Sequence, residues 1–301
     1  MKITGSERTR AFVKIVDGCE NKCSYCIIPS VRAKIRARSK DKILDELVTL
    51  SDAGYKEIVL TGIETAAYGK DLENCDLSDL LIDADKIDGI ERIRLGSLEP
   101  TVIKEKFIGT VLSCKHIVPH FHLSLQSGSD AVLRKMRRKY NTSMFFDTVT
   151  KLKEAIPNIC ITTDIIVGFP GETDEMFEET CNFLKKCGFL YVHIFPYSKR
   201  AGTDAAVMKD QVPENIKKKR ASALKEIMLE TRKEVLKSFD GLETEVLFEE
   251  ISSDGSYIGH TPNFIEAKLI SKPDSSLEAE IKKCRLKYDP NTCEHMLCEL
   301  I

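Results

Sequence analysis

The chain has no long apolar run. None of its hydrophobic stretches approaches the roughly 20 residues a helix needs to cross a bilayer, and residues 1–10 (MKITGSERTR) lack the apolar region of a secretory signal. The expectation is a cytoplasmic protein with no membrane partner. A dominant charge of one sign is lacking too: 45 basic residues stand against 47 acidic ones, so the chain as a whole offers no electrostatic reason to meet a polyanion. The balance is uneven, however. Residues 241–301 hold 6 Lys/Arg and 12 Asp/Glu, which leaves residues 1–240 with a net charge of +4, so a polyanion should meet the first part more readily than the tail. With 301 residues and 42% hydrophobic content the chain can build one large core and a small one. In a reducing compartment its eleven cysteines stay unpaired and available to metal.

What is present is concentrated in residues 17–29, DGCENKCSYCIIP. Cys19, Cys23 and Cys26 are spaced C-x3-C-x2-C directly after an apolar strand-like stretch, residues 11–16, that Asp17 and Gly18 bring to a stop. Three thiolates on one short loop suit a cubane iron-sulfur cluster whose fourth iron has no protein ligand. A tetrahedral zinc site would lack its fourth ligand here, and a disulfide framework would leave one cysteine over. Structural zinc and three unrelated cysteines remain the other readings.

The surrounding pattern alternates strands and helices. Short apolar strands read at 11–16, 57–62, 90–95, 120–125, 161–167 and 190–195, with helical periodicity at 39–53, 101–113, 129–137, 144–155 and 174–187. Six strands alternating with helices imply an α/β fold with a parallel sheet and outer helices. Ligands in such folds lie at the carboxyl ends of the strands, so the polar turns there carry the chemistry. Phe145, Phe146, Phe177 and Phe183 fall in helical patterns and read as core. After a long charged helix at 213–239, five short strands (243–248, 256–259, 264–270, 277–286, 293–300) suggest a small OB-like β-barrel. The domain division expected is 1–210, a connecting helix 211–240, and 241–301.

The C-x3-C-x2-C loop with Tyr25 before its third cysteine resembles the signature of radical S-adenosylmethionine (SAM) enzymes. That resemblance implies a partial (β/α)6 barrel, a [4Fe-4S] cluster on Cys19, Cys23 and Cys26, and SAM as cofactor, cleaved to a 5′-deoxyadenosyl radical by one electron from a separate reductant. Further stretches, FVKIVDGCENKCSYCIIP (12–29), 60–69, RIRLGSLEP (92–100), HLSLQSGSD (122–130), 162–173 and 195–198, are similar to the methylthiotransferases, whose C-terminal TRAM barrel binds RNA. TGIE (61–64) and SLEP (97–100) are most similar to the branch acting on N6-threonylcarbamoyladenosine beside the tRNA anticodon. By resemblance, SAM meets Tyr25, Gly62, Ile63, Glu64, Ser97, Glu99, Gln126, Ser127, Gly168, Phe195 and Pro196.

The same family carries an N-terminal domain with three further cysteines for an auxiliary cluster. Here Met1 lies almost at the barrel, so the resemblance implies a truncated form, and a separately encoded subunit is one source for the second cluster. Cys75, Cys114, Cys160, Cys181, Cys187, Cys284, Cys293 and Cys298 form no second compact triad and read as buried or incidental. The expected partner is tRNA, met through Arg32, Lys34, Arg36 and Arg38, which alternate along 30–38, and through Arg138 in the basic run 134–139. A solvated face is the competing reading for both basic segments. Two other functions stay open: a non-catalytic RNA-binding or assembly subunit, and a radical SAM enzyme of other specificity.

Overall fold

The computed structural model describes residues 9–271, 273 and 275–301. Alternation in Arg10–Asp17 (β1) buries Ala11, Val13 and Ile15 on one face and turns Arg10 and Lys14 to the other. The two-residue strand Arg36–Ala37 (β2) pairs antiparallel with β1, while Glu57–Gly62 (β3) and Arg92–Leu95 (β4) follow in parallel. His120–Gln126 (β5), Cys160–Val167 (β6) and Tyr191–Pro196 (β7) make a second parallel sheet. Backbone hydrogen bonds from Ile93 to His116 O and from Leu98 to His122 O stitch the two sheets together. Six parallel strands thus run in order, with no ladder between β2 and β7 among the described residues. This is the partial barrel that the resemblance implies, built on the parallel strands and outer helices expected from the alternating pattern.

The outer face is covered by helices. After the single turn Ile28–Val31 (α1) come Lys40–Asp52 (α2), Leu77–Ala84 (α3), Glu105–Ser113 (α4), Asp130–Lys135 (α5), Thr142–Ala155 (α6) and Asp174–Cys187 (α7). In α2 the buried stripe is Ile43, Leu47 and Leu50, the spacing of one helical face. Phe145 is fully buried, with Phe146, Phe177 and Phe183 packed on the same core, so the helical phenylalanines are core residues. The pattern reading did not include α3. Its start is fixed by a reciprocal pair in which Asp76 accepts from the Asp79 amide at 3.2 Å and Asp79 accepts from the Asp76 amide at 2.9 Å. The helix expected over 101–113 is instead a 3-10 turn, Pro100–Val102, followed by α4.

Asp204–Val207 (α8) leads to the long helix Glu214–Lys237 (α9), which packs on β7 and α7. Glu243–Ile251 (β8), Tyr257–His260 (β9), Glu266–Leu269 (β10), Ile281–Lys287 (β11) and Met296–Leu300 (β12) then close a barrel in the order β10-β12-β11-β8-β9. Its core of Val246, Phe248, Leu269, Leu286 and Met296 also takes in Cys160 and Leu190, which lie at the amino-terminal ends of β6 and β7.

That contact places the small barrel under the large one. Residues 261–265, the turn between β9 and β10, reach into the floor of the parallel strands. Phe264, held at φ +69, stacks on His120 at 4.6 Å and His260 at 4.7 Å, with the Arg94 guanidinium over its ring at 4.7 Å. Arg92 and Arg94 donate to the carbonyls of His260 (3.0 Å) and Pro262 (3.2 Å). Beside them Glu57, fully buried, takes Arg10 at 2.6 Å, Arg94 at 3.0 Å and Arg92 at 3.6 Å. Burial alone would push this carboxyl up, but Arg94, Arg10 and Arg92 together hold it at about 2. The amino-terminal end of the strands is therefore filled, and ligand space is left at the carboxyl ends.

Candidate cofactor site at the carboxyl ends of the strands

The cysteine loop is positioned by residues other than its thiols. Gly18 takes φ +83, and a Cβ there would lie 1.9 Å from the Lys34 carbonyl oxygen, so only glycine lets the chain leave β1 against residues 32–34. The Cys19 amide then donates to Arg32 O at 3.0 Å. Ser24 ties the middle of the loop to the end of α5, its amide donating to Met136 O (3.2 Å) and its hydroxyl to Lys135 O (2.7 Å). The Ala205 amide returns a bond to Ser24 O at 2.8 Å. The three thiols are partly exposed. Burial pushes the Cys19 and Cys26 thiols up.

Beside them sits a charged cluster. Arg138 donates to Cys23 Sγ at 3.2 Å, to Tyr140 Oη at 2.9 Å, and approaches Glu99 at 3.4 Å. Its side chain is only 6% exposed, so the expected role of Arg138 as an RNA contact is corrected: positive φ at Arg137 ends the helical run and turns the Arg138 guanidinium inward to the sulfur. Asn21, buried in the loop, donates to Glu64 at 3.4 Å. Burial, and then the nearby Glu99, push Glu64 up to about 7. Glu64 and Glu99, with Arg138 near both, make the rim of the loop a polar setting suited to an ammonium group. Three sulfurs on one loop, one of them receiving an N–H, form a donor set that fits a cluster with one open iron.

Next to the loop lies a cavity of about 420 Å³ lined by Tyr25, Gln126, Asp164, Phe195, Pro196, Tyr197 and Arg200 among others. Gln126 points there because β5 carries a register shift between Leu123 and Gln126 and because Gln126 itself takes φ +73. The Thr163 hydroxyl bridges the irregularity, accepting from the Leu125 amide at 3.1 Å and donating to Leu123 O. Tyr25 meets Phe169 edge-on at 6.3 Å, and Phe169 meets Tyr197 at 5.4 Å. Tyr197 Oη is buried without a hydrogen-bond partner, as is Thr65 Oγ1 after β3. Such orphaned groups are suited to a polar ligand.

Of the residues expected around SAM, Tyr25, Gln126, Phe195 and Pro196 thus share this cavity, and Glu64 and Glu99 flank the cysteine loop. The others are placed elsewhere or serve the fold. Ile63 and Ser97 are exposed, and Gly62 packs on Val16, where a Cβ would lie 2.5 Å from Cγ1. Ser127 is turned toward α7, its hydroxyl 3.4 Å from that of Thr180. Gly168, at φ +71, donates its amide to Glu172 at 2.8 Å. Asp164 and Asn21 were not anticipated; for Asp164 the signal was available, a carboxylate inside the apolar strand CITTDIIV. Among the alternating basic residues, Arg32 and Arg36 both pair with Asp17 (3.4 and 3.3 Å) and Arg38 pairs with Glu46 at 2.5 Å, while Lys34 is exposed. These pairs hold the guanidiniums in place with much of their surface still open.

Comparison with known proteins agrees with this geometry. The profile of the radical SAM superfamily matches residues 13–184. The chain is 41% identical over 286 residues to the threonylcarbamoyladenosine tRNA methylthiotransferase MtaB of Bacillus subtilis, covering 93% of this chain and 63% of that protein. It is 42% identical over 279 residues to the tRNA-2-methylthio-N(6)-dimethylallyladenosine synthase of Acetivibrio thermocellus, covering 90% and 58%. The chain thus spans about three fifths of the length of these curated relatives. Among solved structures, coproporphyrinogen III oxidase (HemN) of Escherichia coli aligns with a TM-score of 0.56 at 13% identity, covering 97% of this chain and 71% of that one. The radical SAM methyltransferase TsrM of Kitasatospora setae aligns with a TM-score of 0.55 at 17% identity, covering 65% and 38%. At those identities the likeness is one of fold.

Proposed function

The chain belongs to the radical SAM superfamily, and from that premise we propose that it holds a [4Fe-4S] cluster through Cys19, Cys23 and Cys26, binds SAM in the adjoining cavity, and acts in methylthiolation at C2 of N6-threonylcarbamoyladenosine in tRNA. One observation carries the proposal: three thiols on one loop, fixed by Gly18 and Ser24, stand beside a cavity at the carboxyl ends of six parallel strands. When bound, the cluster supplies the electron that cleaves SAM, which reaches a carbon-hydrogen bond that acid-base catalysis cannot activate.

The chain's own residues bind, orient and shield. Tyr25, backed by Phe169, gives the cavity an aromatic wall for an adenine, and Gln126 offers it hydrogen bonds. Glu64 and Glu99 suit an ammonium group, and Arg138 steadies the Cys23 sulfur. The filled floor around Phe264 keeps water out from below. Near-equal identity to relatives named for two different nucleosides leaves the choice of substrate to local sequence, and the acidic residues of TGIE and SLEP, Glu64 and Glu99, are the ones that flank the loop. A tRNA partner, a one-electron reductant, a separately encoded auxiliary-cluster subunit and a cytoplasmic setting belong to the same reading.

Anaerobic reconstitution with iron and sulfide, followed by reduction in the presence of SAM, should yield about four irons per chain and release 5′-deoxyadenosine. A colourless chain that leaves SAM intact refutes the radical reading. For the substrate, tRNA from a strain lacking the gene should accumulate unmodified threonylcarbamoyladenosine by nucleoside mass spectrometry. Unchanged levels of its methylthio derivative would remove that nucleoside.

A further inference from the structure

The face of β5, β6 and β7 that looks into the barrel carries a second constellation, which the proposed chemistry above does not use. His122, Asp164 and His193 lie on three adjacent parallel strands, and one ligand atom from each falls within 4.8 Å of the other two. The register explains the grouping: His122 pairs with Thr162 and His193 with Asp164, so the three side chains leave the same face of neighbouring strands. We propose that His122, Asp164 and His193 bind a single divalent transition-metal ion inside the barrel, at a site distinct from the cysteine loop.

Three features fit an ion at this place. The donor set of two imidazoles and one carboxylate is the facial arrangement that first-row divalent ions take while keeping other positions open. The distance from His122 Nε2 to Asp164 Oδ2 is 3.2 Å, close to the edge of about 3.3 Å that two ligands make when each lies roughly 2.0 Å from a tetrahedral ion. Finally, the His122 ring is oriented from behind. Its Nδ1 lies 3.0 Å from Thr162 Oγ1, so Nε2 is the nitrogen left to face Asp164. That is the outer support metal-binding imidazoles usually have. Thr162 Oγ1 is itself 3.2 Å from His120 Nε2, so the hydroxyl is held by a second ring.

The third ligand is the adjustable one. His193 is exposed and packs edge-on against Tyr191 at 4.7 Å and in a stacked arrangement with Phe195 at 6.5 Å, so aromatic rings flank it along β7. Asp164 also lines the cavity of about 420 Å³. The Asp164 ligand therefore borders the space proposed above for SAM. The inference is independent of the substrate chosen above, because it concerns the ion alone.

The test is cobalt binding to the full chain carrying Cys19→Ala, Cys23→Ala and Cys26→Ala, which removes the thiolates of the cysteine loop. One Co2+ per chain is expected, with visible d–d absorption and no sulfur-to-cobalt charge transfer in the near ultraviolet. His193→Ala, at an exposed position the fold does not need, should weaken binding at least tenfold, and Thr162→Val by about 10-fold to 100-fold through the lost support of His122. Failure to bind Co2+, charge-transfer bands that reveal cysteine coordination, or an affinity unchanged by His193→Ala would each overturn the proposal. None of these outcomes bears on whether the wild-type chain cleaves SAM, so the two readings fail separately.

Discussion

Replacing Glu57 by glutamine keeps the side-chain volume and removes the anion that Arg10, Arg92 and Arg94 share. The carboxyl is held at about 2 against an ordinary 4.5, a difference worth about 3 kcal/mol of stability at neutral pH. Removing one partner of a buried ion pair typically costs about 3–5 kcal/mol, so the two routes to the magnitude agree. The sign follows from a depressed pKa: the contribution is fully present above pH 4.5 and is lost as pH falls through 2. Urea unfolding of wild type and Glu57→Gln should therefore differ by about 3 kcal/mol at pH 7 and by roughly half of that at pH 3. A difference that does not change between the two pH values would show that Glu57 contributes through packing rather than charge, and the account of the floor would be wrong.

Other perturbations test other parts of the argument. Phe264→Ala empties the floor and should cost about 3 kcal/mol, seen as a lower unfolding midpoint, with the loss absent if the turn does not seat in the large barrel. Gly18→Ala drives a Cβ into the Lys34 carbonyl and should sharply lower iron uptake while circular dichroism still reports the barrel; full iron content would show the loop tolerates the change. Arg138→Met removes the N–H directed at Cys23 and should lower the reduction potential of the reconstituted cluster, since hydrogen bonds to ligating sulfur raise it; an unchanged potential would refute that contact.

The order of strands was readable because β1, β3, β5, β6 and β7 carry apolar runs of the right length bounded by glycine, proline or polar turns. Helix α3 was missed because its start is capped by two aspartates, Asp76 and Asp79, where the familiar pattern has a hydroxyl residue and a glutamate. The cysteine triad was legible as spacing, since a loop carries its ligands in sequence order. The partners of that triad were not. Arg138 reads as one more charge in a basic run until the left-handed turn at Arg137 directs it inward, and the trio of His122, Asp164 and His193 is spread over some 70 residues that only the parallel register brings together. Sequence pattern reports what is local; a sheet assembles what is not.

The stopper made by residues 261–265 has a consequence for traffic. Among the described residues, a tube filled at its base and without a ladder along one seam is approached from the rim above or through that flank, between β2 and β7. Anything arriving and anything departing must then share those approaches, so a bulky product still seated at the rim would bar the next cosubstrate.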